Sequence, residues 1–253
     1  MSHRKTALVT GASKGIGRGI AIGLAKSGFD VAVNFNADAS GADQTVAAIK
    51  SAGREAFAVQ ADVGYSDQVA EMFGIVSERF QRLDVLVNNA GVQTWSSLMD
   101  LGEDDWDRVI RTNLKGCFLC TKQAATAMGD SGGSIINIGS GANKRPFPNL
   151  VDYGASKGGI ERLTRSAAVE LGPQGIRVNC VAPGAIEIER TKEESPEYAE
   201  TWGPITPLRR VGNVSDVADA VCFLASDSAA FITAQTLYVD GGLFTQGPWP
   251  YPS

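Results

Sequence analysis

Along the chain, short apolar runs rich in β-branched residues alternate with longer stretches in which apolar residues recur every three or four positions. The runs "TALVT", "DVAVNF", "EAFAVQ", "LDVLVNN", "SIINIGS", "IRVNCVA" and "TLYVD" predict strands. Between them, "GIGRGIAIGLAKSG", "GADQTVAAIKSAG", "SDQVAEMFGIVSERF", "DDWDRVIRTNLKGCFLCTKQAATAM", "YGASKGGIERLTRSAAVELG" and "VSDVADAVCFLAS" predict helices. The strands read as continuous apolar runs, the mark of strands covered on both faces. The pattern therefore predicts an α/β fold, a doubly wound parallel sheet of about seven strands flanked by helices on both faces. No repeat or linker divides residues 1–253, so one domain is expected. Two segments break the rhythm. Residues 185–212 are charged and contain Pro, which suits a mobile lid, and the tail 246–253, "QGPWPYPS", is too rich in Pro for helix or strand.

The 253 residues are 43% apolar and 20% charged, the balance of an ordinary globular chain with one substantial core. A net charge of -5 with no block of Lys or Arg argues against nucleic-acid and anionic-membrane partners. No apolar run approaches the length of a membrane span, and the opening "MSHRK" is unlike a signal peptide, so a cytoplasmic protein is expected. Of the four cysteines, Cys117 and Cys120 form a C-x-x-C inside an apolar helical run, where core thiols are expected. His3 is the sole histidine, which leaves no His-based dyad or metal cluster to assemble; no metal site is expected.

Candidate chemistry begins at "TGASKGIG", where Gly11, Gly15 and Gly17 fall at the first strand-to-helix turn. Glycines let the backbone approach a pyrophosphate, and the following helix offers unpaired N–H groups and the positive end of its dipole. Further on, "YGASK" sets Tyr153 and Lys157 four positions apart, a spacing that stacks two side chains on one helix face. A tyrosine loses its proton only near pH ~10, so a fixed cation is what would make it a useful acid/base at neutral pH.

These features resemble the short-chain dehydrogenase/reductase family over nearly the whole chain. The family's signatures occur in order: "TGASKGIG" at 10–17, "DV" at 62–63, "NNAG" at 88–91, "TN" at 112–113, Ser140, "YGASK" at 153–157 and "PG" at 183–184. The resemblance implies a Rossmann fold and a nicotinamide-dependent oxidoreductase with a quartet of Asn113, Ser140, Tyr153 and Lys157. Tyr153 would be the acid/base and Ser140 would hydrogen-bond the reacting oxygen. Lys157 would favour the phenolate and hold the nicotinamide ribose, and Asn113 would hold a water that relays protons from Lys157. The cofactor site it implies comprises Gly11, Ser13, Lys14, Gly15, Ile16 and Gly17, then Phe35 and Asn36, Asp62 and Val63, Asn89, Ala90 and Gly91, with Tyr153 and Lys157, and Pro183, Gly184 and Ile186.

Relatives that prefer NAD carry an acid where this chain has Phe35, while Lys14 and Asn36 could meet a 2′-phosphate; NADP(H) is expected, with NAD(H) left open. Ile188 stands where the family often has a Thr for the nicotinamide carboxamide; either the backbone of Ile186 takes that role or the local loop is shifted. For substrate, the polar lid residues Glu187, Glu189 and Arg190 suggest a sugar or polyol held by Ser140, Tyr153 and Glu187. The alternatives are an NADPH-dependent carbonyl or 3-oxoacyl reductase and a silent dinucleotide-binding sensor. "QAATAMGDSGGS" and "ELGPQG" lack the bases that would meet an acidic carrier protein, and a silent protein would not need Ser140, Tyr153 and Lys157 together. By resemblance a homotetramer is expected. Trp249 and Tyr251 of the tail are read either as a cap on a neighbouring subunit's pocket or as a free end.

Overall fold

In the computed structural model, which describes residues 4–245, the apolar runs become the strands β1 (Thr6–Val9), β2 (Asp30–Phe35), β3 (Ala56–Gln60), β4 (Val85–Asn88), β5 (Gly133–Ile138), β6 (Ile176–Pro183) and β7 (Thr236–Val239). All pair in parallel, in the order β3-β2-β1-β4-β5-β6-β7. Every residue of β1, β2 and β4 is buried, because helices cover both faces of the sheet.

Alternate strand residues feed two cores. Ala7, Val9, Val31, Val33 and Val181 pack against α1 (Gly15–Lys26), α2 (Ala39–Ser51) and the last helix, Val214–Ala225. Leu8, Ala32, Leu86, Ile135 and Val178 face the opposite layer, α3 (Ser66–Phe80) with the helices at Gly116–Met128 and Val151–Leu171. The period of two along each strand thus sorts a continuous apolar run into two cores.

The long helix predicted over 104–128 is continuous but not uniform. It runs as α4 (Glu103–Val109), a π-helical segment Ile110–Lys115 and α5 (Gly116–Met128). Asn113 is the fully buried residue of the π segment, and such bulges mark places where a side chain competes for backbone partners. Next comes α6 (Val151–Leu171), and then the expected lid, which carries two short helices, α7 (Glu189–Glu194) and α8 (Tyr198–Trp202), ahead of α9 (Val214–Ala225). The tail with Trp249 and Tyr251, and His3, lie outside the described residues.

The winding reverses between β1 and β4, and Thr10 fastens that point. Its N–H donates to Val87 O at 3.0 Å, and its Oγ1 accepts from the N–H groups of Asn89 (2.9 Å) and Ala90 (3.0 Å). The crevice at the carboxyl ends of β1 and β4 is where such sheets hold ligands.

Candidate active site

The glycine turn lines a groove of about 550 Å³. Gly11 has φ +60°, and a Cβ on it would lie 2.8 Å from the Ala90 Cα; Gly15 has φ +55°. A Cβ on Gly17 would overlap the Gly11 carbonyl and the Asn89 amide. The turn is closed by Asn34, whose Oδ1 accepts from Gly11 N–H at 3.1 Å, and by Asn89, whose Nδ2 donates to the Thr10 and Gly11 carbonyls at 2.9 and 3.0 Å. No side chain caps α1 and no acid occupies its first turn. The first turn of this 12-residue helix lines the groove with no side-chain cap among the described residues, a fit to a pyrophosphate.

The groove also brings in Ser13, exposed Lys14, Ile16, Asn36, Asp62, Val63, Ala90 and Gly91, as expected from the sequence. Asp62 is held by Gly64 N–H at 2.9 Å and by Asn36 Nδ2 at 3.4 Å. Phe35 is a correction: its ring is buried in the α1/α2 core and does not line the groove, because alternation along β2 turns Val31, Val33 and Phe35 inward together. Sequence reasoning missed Asn34, whose polar side chain within an apolar strand was the available signal.

A second cavity of about 260 Å³ continues from the groove and is lined by Asn89, Gly91, Ser140, Tyr153, Lys157, Pro183, Gly184 and Ile186. Ser140 leaves β5 in extended conformation, its Oγ accepting from Ala142 N–H at 3.1 Å. Tyr153 lies in the first turn of α6, where its N–H donates to Asp152 Oδ1 at 2.7 Å. Lys157 is 4% exposed; Nζ donates to Ile138 O at 2.7 Å and sits 5.5 Å from the centroid of the Tyr153 ring. The one-face stacking read from the spacing is therefore present.

Asn113 is held from two sides. Its Oδ1 accepts from Val92 N–H at 2.8 Å, and its Nδ2 donates to Val92 O at 2.9 Å and Ser156 Oγ at 3.0 Å. Both amide hydrogens are committed, so the side chain ties the β4 loop to α6 beside Lys157. Behind Lys157, a buried ladder fixes the strand ends. Asn88 Nδ2 donates to Asn137 Oδ1 at 2.9 Å and Thr121 Oγ1 at 3.1 Å, and Asn137 Nδ2 donates to Thr164 Oγ1 at 2.9 Å.

Beyond Ser140 the crevice opens into a third cavity of about 550 Å³ under the lid. Its walls include Trp95, Phe147, Tyr198, Trp202 and Phe244. Phe147 stands edge-on to Trp202 (centroids 6.0 Å) and to Phe244 (5.9 Å), and Tyr198 lies 6.3 Å from Trp202. Phe244 is seated against Gly141, where any Cβ would overlap the ring. These rings come from four separate stretches of chain, so no local pattern announced them. Glu187 is a second correction: it pairs with Lys192 at 3.1 Å and does not line the cavity. Arg190 does, paired with Glu194 at 3.7 Å.

Ile188 turns its side chain towards Gly15, and Thr191 supplies a hydroxyl nearby, accepting from Ile188 N–H at 2.8 Å. Burial holds the Tyr198 hydroxyl above its ordinary value, opposed by the Ile186 N–H and Arg190. Tyr198 is thus a protonated neighbour of Tyr153, and the Ile186 N–H considered for the carboxamide faces its oxygen. Burial likewise pushes the Cys117 thiol up to about 12 and Cys180 to about 11, with the Lys157 charge opposing in both. Cys120 is raised further by the same cause, which makes the C-x-x-C a pair of core thiols.

Among the described residues, no cluster of metal-ligating side chains occurs and no helix is long and apolar enough to cross a membrane.

A family model described as enoyl-(acyl carrier protein) reductase matches residues 11–244. The chain is 46% identical over 245 residues to the 3-oxoacyl-[acyl-carrier-protein] reductase FabG of Staphylococcus aureus, covering 96% of this chain and all of that protein. It is 40% identical over 243 residues to 3beta-hydroxysteroid dehydrogenase 1 of Eggerthella lenta, covering 94% and 93% of the two chains. Among solved structures, the angucycline C-6 ketoreductase LanV with bound NADP superimposes with a TM-score of 0.90 at 37% identity, covering 96% of each chain.

Proposed function

The chain belongs to the short-chain dehydrogenase/reductase family and is an oxidoreductase; from that premise we propose that it interconverts a ketone and its secondary alcohol with NADP(H), using Tyr153, Ser140 and Lys157. The supporting observation is one continuous crevice, running from the uncapped N-terminus of α1 to a buried ammonium beneath a tyrosine and a serine hydroxyl. When bound, the nicotinamide supplies or takes the hydride.

The chain's own groups handle the proton. In the reducing direction the Tyr153 hydroxyl gives its proton to the carbonyl oxygen as that oxygen gains charge, and Ser140 donates a hydrogen bond to the same atom. Ser140 is suited to this because Ala142 N–H occupies a lone pair of Oγ and leaves its proton free to point into the crevice. Lys157 favours the phenolate that remains, and Ile138 O fixes its position. Asn113 is a positioning residue, holding Ser156 and so the turn of α6 that carries Lys157.

NADP(H) is favoured by exposed Lys14 and Asn36 at the adenosine end of the groove, where β2 ends without a carboxylate. Ketone chemistry also agrees with the printed names of the relatives, a 3-oxoacyl reductase, a hydroxysteroid dehydrogenase and a ketoreductase. A second reading, oxidation of a sugar or polyol, draws on Arg190, Thr191 and Glu194 in the wall of the outer cavity.

The test is absorbance at the reduced-nicotinamide band with ketones, secondary alcohols, aldoses and polyols, each with NAD and NADP. Ketone turnover with NADPH supports the proposal, and turnover confined to aldoses or polyols moves it to the second reading. Absence of turnover in both directions would leave a dinucleotide-binding protein without chemistry. A homotetramer is part of the proposal and is checked by light scattering.

A further inference from the structure

The outer cavity narrows the substrate class, on the reading that Ser140 and Tyr153 mark the reacting oxygen. We infer that it takes a free, neutral, fused-ring ketone, stacked against Phe147, Trp202 and Phe244, and not an acyl chain delivered by a carrier protein.

The first argument is shape. The cavity of about 550 Å³ falls among ordinary small-molecule sites, and one side of it is an aromatic wall in which Phe147 stands edge-on to Trp202 and Phe244. Rings in edge-to-face contact at these distances leave no gap between them and form an apolar wall, against which a flat ring can lie. Phe244 is locked beside the reacting centre, since its ring occupies the space a side chain on Gly141 would need, one residue after Ser140. A ring carbonyl at Ser140 therefore brings the rest of a fused ring system against Phe244 and Phe147.

The second argument is charge. From Glu187 to Trp202 the lid carries six glutamates against Arg190 and Lys192. Both bases are already paired, Lys192 with Glu187 and Arg190 with Glu194, while Glu193, Glu197 and Glu200 are exposed. An acidic carrier protein approaching this stretch would meet mostly its own sign of charge, the exposed bases Arg209 and Arg210 lying further along the lid, Arg210 paired with Asp216. The third argument concerns polar groups: the charged side chains in the wall, Arg190 and Glu194, are paired with each other, and Glu187, the acid expected to receive a hydroxyl, is paired with Lys192, so a polyhydroxylated substrate would meet charges already engaged.

The full-length protein with NADPH is assayed against 2-tetralone, a ketose, and an acetoacetyl thioester both free and on a carrier protein. The expected result is a kcat/KM for 2-tetralone at least about tenfold above every other substrate, and a fall of about tenfold in its preference over the free thioester in Trp202→Ala. Trp202→Phe, which keeps a ring, should retain the preference, and unchanged NADPH affinity in both variants shows that they are folded. A preference for the carrier-bound thioester or the ketose overturns the inference and leaves the ketone or sugar chemistry standing. If no carbonyl is reduced at all, the proposed function fails. Calorimetric titration of 2-tetralone into NADPH-loaded Tyr153→Phe then decides the cavity separately: saturable binding weakened by adding Trp202→Ala supports it, and no binding overturns it.

Discussion

Lys157 is the residue around which the site is organised, an ammonium taken out of water with a carbonyl on one side and a tyrosine ring on the other. The Tyr153 ring, 5.5 Å from that ammonium, carries the hydroxyl proposed for the proton transfer. Replacing Tyr153 with Phe keeps the ring and removes only the hydroxyl proposed as the proton carrier. Turnover should fall by about three orders of magnitude while NADPH binding, followed by fluorescence, stays within about twofold. Lys14 acts on a different quantity. If it meets a 2′-phosphate, Lys14→Ala removes a charge-assisted contact worth ~1.5–3 kcal/mol, lowering kcat/KM with NADPH by about tenfold or more and leaving NADH nearly unchanged. Equal loss with both cofactors would place Lys14 on the pyrophosphate. Residue identity made these two groups legible from the sequence. The committed amide of Asn113 was not legible, because its partners, Val92 and Ser156, lie 21 and 43 positions away.

At the scale of elements, strand and helix positions were legible wherever one physical rule dominated. Doubly covered strands need unbroken apolar runs, and the seven runs became the seven strands. The helix predicted over 104–128 is continuous, but at Ile110–Lys115 it winds as a π segment, and there the Asn113 amide bonds the Val92 backbone, a tertiary contact no local pattern announces. α9 shows the opposite case, an end written locally. Asn213 Oδ1 accepts from the N–H groups of Ser215 (2.9 Å) and Asp216 (3.1 Å), and Asp216 Oδ2 accepts from Asn213 N–H at 2.8 Å. Asp216 is also held below the ordinary carboxylate range, first by its hydrogen bond from Arg210. A depressed carboxylate stabilises the fold above its unfolded value and loses that contribution as pH falls through the folded one. Asn213→Ala should therefore cost about 1 kcal/mol in urea unfolding at pH 7. The cost reports on the first turn of a helix whose Val217, Val221 and Leu224 belong to the core behind the cofactor groove.

The whole molecule separates its titrating chemistry by depth. The groups proposed for proton transfer lie at the carboxyl edge of the sheet, while three thiols are sealed within: Cys117 and Cys120 on α5 and Cys180 on β6. Each is raised by burial, Cys117 to about 12 and Cys180 to about 11 from an ordinary value of 9.0. The raised value means that the folded state holds these protons more tightly than the unfolded chain. Their contribution to stability is then complete below pH 9.0 and is lost as pH rises through the folded values. Above pH 9 each thiol that ionises only on unfolding should subtract about 1.4 kcal/mol per pH unit. Urea midpoints should hold level from pH 7 to 8.5 and fall steeply from 9 to 10.5 if this is so, and Cys117→Ala should make that fall shallower. At pH 8, iodoacetamide should spare these three thiols in the native protein and react with them once urea opens the core, since the native thiolate fraction is negligible. A midpoint flat through pH 10.5, or rapid native alkylation at Cys117, would mean that water reaches α5 from the crevice side and that the wall behind Lys157 is open.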